Sequence, residues 1–151
     1  MGRGGRNLKL IKISSSYLRQ AGARLEDAEE ALGKFNAYAL RLSQECVELS
    51  LKAVLKLVGI EYPKKHDVSD VLLEVKNRFP EWFRKELDFM AEASRKLAKK
   101  REVSMYGDEE SFLSPDEVTS VEEARRAVEW ARKIHRLCKK LLLEMRRRRR
   151  I

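Results

Sequence analysis

Apolar residues recur at every third or fourth position through most of this chain. No stretch shows the alternation of apolar and polar residues that a half-buried strand requires. The segment over residues 36–58 carries two apolar stripes on different sides, and a helix of that kind must pack against more than one neighbour. The pattern therefore predicts an all-α bundle with this helix at its centre. The two stripes are Leu40, Val47, Leu51, Val54 and Val58, and Tyr38, Leu42, Cys46, Leu49, Ala53 and Leu57.

Glycine and polar capping residues set the predicted boundaries of the first helices. The first helix is predicted over residues 8–32 and ends before Gly33, because glycine readily adopts the left-handed backbone that terminates helices. The second helix spans residues 36–58, with Asn36 as its N-cap. A short helix then follows Asp67, which is its predicted cap.

Two more long helices complete the predicted bundle. One extends from about Pro80 to Tyr106, since proline is tolerated in the first turn of a helix. The polar segment GDEESFLSPDEVTS that follows is a loop. The last helix begins near Ser120, which makes a capping box with Glu123. The fold class is thus an up-and-down bundle of four long helices and one short helix.

The predicted domain covers residues 8–145, between a flexible head over residues 1–7 and a basic tail over residues 146–151. The tail accounts for five of the nine net positive charges of the chain. Runs of like charge are usually disordered. This run either grips nucleic acid through charge alone, without sequence preference, or is a solvated end. Its arginines are Arg146, Arg147, Arg148, Arg149 and Arg150.

Most catalytic and metal-binding motifs are missing from the sequence. It contains no GxGxxG or Walker loop, no HExxH and no CxxC. Cys46 and Cys138 lie inside apolar helical patterns, as small buried hydrophobic residues do. His66 precedes a helix start, where bonding to nearby backbone is expected, and His135 lies beside a buried stripe. The sequence therefore implies no metal and no cofactor.

Features of the sequence predict the cellular location and the source of the protein. No apolar stretch approaches the roughly 18 residues needed to cross a bilayer, and the start has no signal-peptide pattern. These observations predict a cytoplasmic protein. Charged residues make up 38% of the chain, against only three asparagines and two glutamines. This bias is typical of hyperthermophile proteins, because ion hydration weakens on heating, and it predicts a thermophilic source.

The segment YALRLSQECVELSLKAVLKLVGIEYPKKHDVSDVL resembles the signature of the HEPN domain family. That signature has a Gln-x-x-x-Glu-x-x-x-Lys series, a helix that ends at glycine, and a loop reading roughly THDL. SVEEARRAVEWARKI resembles the closing helix of the family, so the resemblance spans about residues 17–142. The matching residues are Gln44, Glu48, Lys52, Gly59, His66, Asp67 and Val68.

The resemblance implies a helical bundle that usually forms a homodimer and is often encoded beside a small nucleotidyltransferase. Many members are metal-independent RNases or toxins, while others bind nucleotides or act as non-catalytic modules. The active branch carries an arginine that is followed, four to six residues later, by a histidine near the end of a long helix. In this sequence Arg101 matches the arginine, and Tyr106 stands in place of the histidine.

That replacement changes the chemistry expected of the pair. Histidine exchanges protons at neutral pH, whereas tyrosine mostly cannot act as a base but can bond to phosphate or stack on a base. Arg101 keeps its planar grip on phosphate, and Lys99 and Lys100 add positive potential. The pair converges only if the helix ends or bends there, which Gly107 permits. Alternatively, the stretch is a solvated basic face with the Tyr106 ring packed under the loop.

Three functions follow from these observations. The favoured one is a HEPN-like nucleotide- or RNA-binding module, partnered with a minimal nucleotidyltransferase, in which Arg101 and Tyr106 form a degenerate catalytic pair. The alternatives are a metal-independent endoribonuclease of toxin–antitoxin type and a purely structural interaction module. A twofold homodimer is expected through the helix that carries Arg101, with large aromatic residues at the interface unless these rings complete the monomer core. The aromatic residues are Phe79, Trp82, Phe83 and Trp130.

Overall fold

A computed structural model describes residues 3–149 of the chain. None of the helices in this part combines the length and the apolarity that crossing a membrane requires. A short 3-10 helix, Lys76–Arg78, lies between the third and fourth α-helices. The α-helices of the described residues are α1 (Arg3–Ala31), α2 (Asn36–Leu57), α3 (Ser69–Glu74), α4 (Glu81–Arg84), α5 (Leu87–Tyr106), α6 (Pro115–Val118) and α7 (Val121–Arg149).

Helix α2 lies at the centre of the bundle, in contact with α1, α5 and α7, while α1 also packs on α7. Its Leu51, Val54 and Leu55 side chains are fully buried, as expected for a helix that is apolar on two sides. Burial of one aliphatic side chain of this size stabilises a fold by about 1.5–3 kcal/mol. The predicted all-α bundle with four long helices is confirmed.

Helix α1 begins earlier than predicted. It starts at Arg3, although two glycines weaken the helix propensity of its first turns. Asn7 lines a small cavity together with Leu57 of α2 and Met145 of α7. Contact with the neighbouring helices therefore extends α1 into the segment predicted to be a flexible head, of which the first two residues lie outside the described part.

The fourth predicted helix is interrupted, since α4 ends at Arg84 and α5 begins only at Leu87. Phe79 and Phe83 are buried, with ring centroids 4.8 Å apart. Seating both rings in the core fixes the position of α4, and the chain turns before α5 begins. The backbone N–H of Glu86 donates to the Phe83 carbonyl over 3.0 Å in this turn.

The aromatic residues considered for a dimer interface contribute instead to the monomer. Phe79 and Phe83 complete the core, so they cannot serve an interface between chains. Trp82 is half-buried and donates its Nε1–H to Glu144 of α7 over 2.9 Å. Trp130 is half-buried as well. The prediction of a homodimer therefore loses the support that it drew from the two phenylalanines.

The caps of the long helices follow the prediction in one case and depart from it in another. Ser120 caps α7 by accepting a hydrogen bond from the Glu123 N–H over 3.0 Å. Asn36, however, is not the N-cap of α2, because Phe35 occupies that position. The Asn36 Oδ1 instead accepts from the Gly33 N–H over 2.9 Å. This bond stabilises the turn in which Gly33 has a φ of +88°.

The polar loop after α5 contains helix α6 and an antiparallel bridge between Asp108 and Leu113. Gly107 begins the loop with a φ of +72°. A Cβ atom at this position would overlap the carbonyl oxygen of Leu113 and would lie 2.7 Å from the carbonyl carbon of Ser114. Only glycine therefore fits where α5 meets the loop.

Helix α7 continues through the terminal arginine run and ends at Arg149. The tail predicted to be disordered is thus helical as far as the structure describes it, and Arg150 lies outside the described residues. Arg146 donates from Nη2 to the Ser15 Oγ of α1 over 3.0 Å. This contact with a neighbouring helix explains why the helix outlasts the repulsion between its arginines.

Candidate functional site

Three arginines converge on one carboxylate on the face of α2 that lies between α1 and α5. Glu45 of α2 lies 3.3 Å from Arg24 of α1 and 3.7 Å from Arg41 of its own helix. Arg101 of α5 approaches the same carboxylate at 3.3 Å. One carboxylate cannot neutralise three guanidinium groups, so the group keeps an excess of positive charge. We name it the arginine cluster: Arg24, Arg41, Glu45 and Arg101.

Arg41 keeps part of its guanidinium group unpartnered. Its Nε atom is buried and has no hydrogen-bond partner among the described residues, since the Glu45 oxygen at 3.7 Å is too distant. The central guanidinium carbon lies 5.0 Å from the ring centroid of Tyr38, which is 43% exposed. A buried donor without a partner is costly.

The second contact of Arg101 leads into a hydrogen-bond network. Its Nη1 donates to the Gln44 Oε1 over 2.7 Å, and the Gln44 Nε2 donates to the Glu48 Oε1 over 2.9 Å. Glu48 also accepts from the Lys52 Nζ and from the His66 Nδ1, both over 2.8 Å. His66 therefore bonds to a side chain. The sequence predicted a bond to the nearby backbone instead. We name Gln44, Glu48, Lys52 and His66 the signature network.

The charge state of Glu48 follows from this network. Burial alone would raise the pKa of Glu48, but the hydrogen bonds from Lys52, Gln44 and His66 outweigh burial and hold the pKa below its ordinary value. The carboxylate is therefore charged at neutral pH. It fixes the Gln44 amide, which in turn orients the guanidinium group of Arg101.

Asp67 ties the loop between α2 and α3 to α5. Its Oδ1 accepts from the Ser69 N–H and from the Ser94 Oγ of α5, each over 2.9 Å. The sequence predicted Asp67 as the cap of α3, but Val68 occupies the N-cap position. Asp67 therefore bonds to the helix start from the residue before the cap. Burial alone would raise the pKa of Asp67, but its hydrogen bonds from Ser69 and Ser94 outweigh burial and lower the pKa. The signature residues thus hold α2, α3 and α5 together.

Tyr106 is the last residue of α5 and is 58% exposed. The helix is continuous from Arg101 to Tyr106, so the two side chains leave it about 140° apart around its axis. Gly107 ends the helix only after the tyrosine and produces no bend between the two residues. Within one chain, the structure therefore does not bring the predicted pair together.

Lys99 and Lys100 lie on the flank of α5 that faces α7. The Lys100 Nζ lies 3.4 Å from the Glu123 Oε1 of α7, and Lys99 lines a groove with both residues. Of the residues predicted for the site from the long helix, only Arg101 reaches the arginine cluster. The two lysines belong to a different surface of the bundle.

Sequence reasoning missed Arg24, Arg41 and Glu45. Arg41 and Glu45 are four residues apart and follow the same side of α2 as Gln44, which is the available signal for a shared polar face. No spacing rule connects Glu45 to Arg24, which lies 21 residues earlier, or to Arg101, which lies 56 residues later. The packing of three helices alone brings these groups together.

The cysteines and the second histidine have the structural positions expected of them. Cys46 and Cys138 are buried and free. Burial raises the pKa of Cys46 to about 12 and raises that of Cys138 as well, so both thiols stay protonated and unreactive. His135 is half-buried, with its Nε2 3.0 Å from the Leu18 carbonyl oxygen.

Comparisons with known proteins agree with this architecture. A family model described as the HEPN domain matches residues 14–141. The crystal structure of the protein TT1696 from Thermus thermophilus superposes with a TM-score of 0.67 at 24% identity, covering 84% of this chain and 96% of that one. At this identity the likeness shows the fold alone. No curated protein matches the chain. The family match supports a nucleotide- or RNA-related module in general.

Proposed function

Because this chain belongs to the HEPN domain family, we propose that it is a nucleotide- or RNA-binding module whose phosphate-binding centre is the arginine cluster. Arg101 is its principal phosphate ligand. Lys99 and Lys100 raise the positive potential along the same helix, and the arginine run of α7 adds attraction that does not depend on sequence. Tyr106 keeps the place of the catalytic histidine without its proton chemistry.

The observation that carries this proposal is the excess of guanidinium groups around Glu45. A guanidinium group binds phosphate through two parallel hydrogen bonds. A phosphate beside the cluster would meet charge of the opposite sign.

We propose binding without cleavage. Cutting RNA by attack of a 2′-hydroxyl requires a group that exchanges protons near neutral pH. Tyr106 is not such a group, and it leaves α5 on a different side from Arg101. The metal-independent endoribonuclease of toxin–antitoxin type is the alternative that the assay must separate.

The proposal includes assembly with other chains. One end of the bundle exposes Phe35 to 60% and Tyr38 to 43%. These two residues share a shallow cavity with Met105 of α5 and Pro115 of α6, and we name the four the end patch. Aromatic residues and methionine are enriched in interfaces. We assign the homodimer contact to this patch, and the minimal nucleotidyltransferase partner rests on the family resemblance alone.

Substitution of Arg101 tests the proposal. Arg101→Ala is expected to weaken binding of a single-stranded RNA oligonucleotide about tenfold or more, because a charge-assisted contact is worth roughly 1.5–3 kcal/mol. Arg136→Ala is the matched control, since Arg136 is an exposed arginine of α7. Fluorescence anisotropy at fixed salt gives the affinities, and circular dichroism verifies the fold. Equal affinities of Arg101→Ala and the control would overturn the proposal.

The same preparations separate binding from cleavage. Bulk RNA incubated with the wild-type protein is expected to stay intact, both with and without EDTA. Cleavage that persists in EDTA, and that Arg101→Ala abolishes, would instead establish the metal-independent nuclease.

A further inference from the structure

The groove between α5 and α7 has an apolar floor. Both helices pack on α2, and an open cavity of about 370 Å³ lies between them. Its floor consists of the buried residues Leu40 of α2, Leu97 of α5 and Ala127 of α7. The half-buried ring of Trp130 lines it as well. We refer to this cavity as the α5–α7 groove.

The rim of the groove is strongly basic. Lys96, Lys99, Lys100 and Arg126 line it, against the single carboxylate of Glu123. Lys100 pairs with Glu123 at 3.4 Å. Lys99 and Arg126 are exposed and have no ion-pair partner within residues 3–149. The groove therefore attracts an anion and has two cations free to bind it.

The aromatic group in the groove is accessible after a small movement. The Lys96 Nζ lies 5.9 Å from the centroid of the Trp130 ring. The Lys96 side chain is 58% exposed, so it can move aside without disturbing the core. Nucleobases stack favourably on aromatic side chains, and every base has a face that can do so. An anion that also carries a flat ring would use both parts of the groove.

We infer that the α5–α7 groove binds a nucleoside phosphate, with the base against Trp130 and the phosphate on Lys99 and Arg126. Its volume lies near the lower end of the roughly 300–1,000 Å³ of ligand pockets, which suits a single nucleotide. An acidic peptide would satisfy the rim but would leave the indole ring unused. The nucleotide comes either from solution or from a strand of RNA.

This site is separate from the arginine cluster. Lys100 and Arg101 are neighbours in sequence, but Lys100 contacts Glu123 of α7 while Arg101 contacts Gln44 of α2. The inference goes beyond the proposed function because it does not depend on Arg101. The inference depends on the residues of the groove that face α7.

Fluorescence of Trp130 provides the test. The chain has two tryptophans, so Trp82→Phe leaves Trp130 as the single reporter. ATP is expected to quench this fluorescence, and inorganic triphosphate, which has no base, is expected to bind about tenfold more weakly. An oligoadenylate of ten nucleotides is titrated in parallel. Tighter quenching by the oligoadenylate identifies RNA as the source of the nucleotide, and tighter quenching by ATP identifies the free nucleotide.

Variants in this background assign the contacts. Lys99→Ala combined with Arg126→Ala is expected to weaken ATP binding about tenfold or more, because two charge-assisted contacts are lost. Lys76→Ala combined with Arg136→Ala removes the same charge from exposed residues outside the groove and is the matched control. Glu123→Gln is expected to tighten binding about two- to threefold, because the one carboxylate of the rim is neutralised.

Two outcomes overturn the inference. One is the absence of quenching by both ATP and oligoadenylate at millimolar concentration. The other is equal affinity of the Lys99 and Arg126 double variant and its control. Arg101→Ala distinguishes this inference from the proposed function. If RNA affinity is unaffected by Arg101→Ala while the groove variants lose ATP, the arginine cluster is excluded and the groove stands.

Discussion

Glu48 accepts hydrogen bonds from Gln44, Lys52 and His66 and so connects a helix, a loop and the residue that orients Arg101. Residues four apart share a helix face, which is why the Gln-x-x-x-Glu-x-x-x-Lys series forms a continuous line along α2. At the residue scale, the residues of the signature motif serve to position the helices. We propose that direct contact with a ligand is made by residues outside it, such as Arg101.

The pH dependence of stability in a Glu48 variant tests the interpretation that the signature network positions the helices. The folded-state pKa of Glu48 lies below its ordinary value of 4.5. Its stabilisation is therefore fully present above about pH 4.5 and is lost as the pH falls through the folded-state pKa. Glu48→Gln is expected to lower the free energy of unfolding by about 2 kcal/mol at pH 7. Urea unfolding from pH 7 to pH 3 should show the wild type and the variant converging at the acid end.

The matched control is Glu92→Gln, which removes an exposed carboxylate paired with Lys96 on one helix. This change is expected to leave the free energy of unfolding nearly unaltered, because exposed pairs contribute little. If Glu48→Gln lowers the free energy of unfolding equally at pH 3 and at pH 7, the signature network does not depend on the charge of Glu48.

At the scale of elements, the segment between α5 and α7 differs most from the prediction. It forms a folded loop, closed by the Asp108–Leu113 bridge and by helix α6, whose start is capped by Ser114. Gly107 makes the loop possible, because its backbone is left-handed and its neighbours leave no room for a Cβ atom. The loop thereby holds α6 against α5 beside the end patch.

A glycine substitution tests the importance of that close approach. Gly107→Ala is expected to lower the free energy of unfolding by about 1–3 kcal/mol, because it adds backbone strain and a steric clash with Leu113 and Ser114. Gly33→Ala is the matched control, since Gly33 also has a positive φ but has open space around its Cβ position. Urea unfolding should give the larger loss for Gly107→Ala. Equal losses in the free energy of unfolding would mean that the loop moves to make room for the added methyl group.

At the scale of the whole molecule, charge and apolar surface are distributed unevenly. The arginine cluster lies on the face of α2 between α1 and α5, and the basic α5–α7 groove lies on the other flank of α5. The end patch exposes aromatic rings at the end of the bundle where α1 turns into α2. We propose that this patch is an interaction surface, because aromatic residues and methionine are enriched in interfaces.

Assembly in solution tests the role of the end patch. Light scattering is expected to give about 35 kDa for a twofold dimer, against 17.6 kDa for one chain. Phe35→Asp is expected to shift the protein to the monomer, because a buried charge would oppose association. Leu8→Asp changes an exposed apolar residue on the first turns of α1, far along that helix from Phe35, and should leave the dimer intact. A mass near 17.6 kDa at all micromolar concentrations would exclude the dimer.

The sequence by itself determined the fold class, most helix ends and the family resemblance. These features depend on interactions between residues a few positions apart. Apolar spacing set the faces of α2, Gly33 ended α1, and Ser120 capped α7. The family resemblance also singled out Arg101, whose role in binding is a proposal.

Tertiary structure alone decided which polar groups meet. Arg24 and Arg101 reach Glu45 from different helices, while Lys100, next to Arg101 in the chain, turns toward α7. Packing also separated α4 from α5 and extended α1 and α7 beyond their predicted ends. The physical reason is that spacing along one helix fixes which residues share a face. The neighbour that this face meets depends on how whole helices pack, which no local pattern encodes.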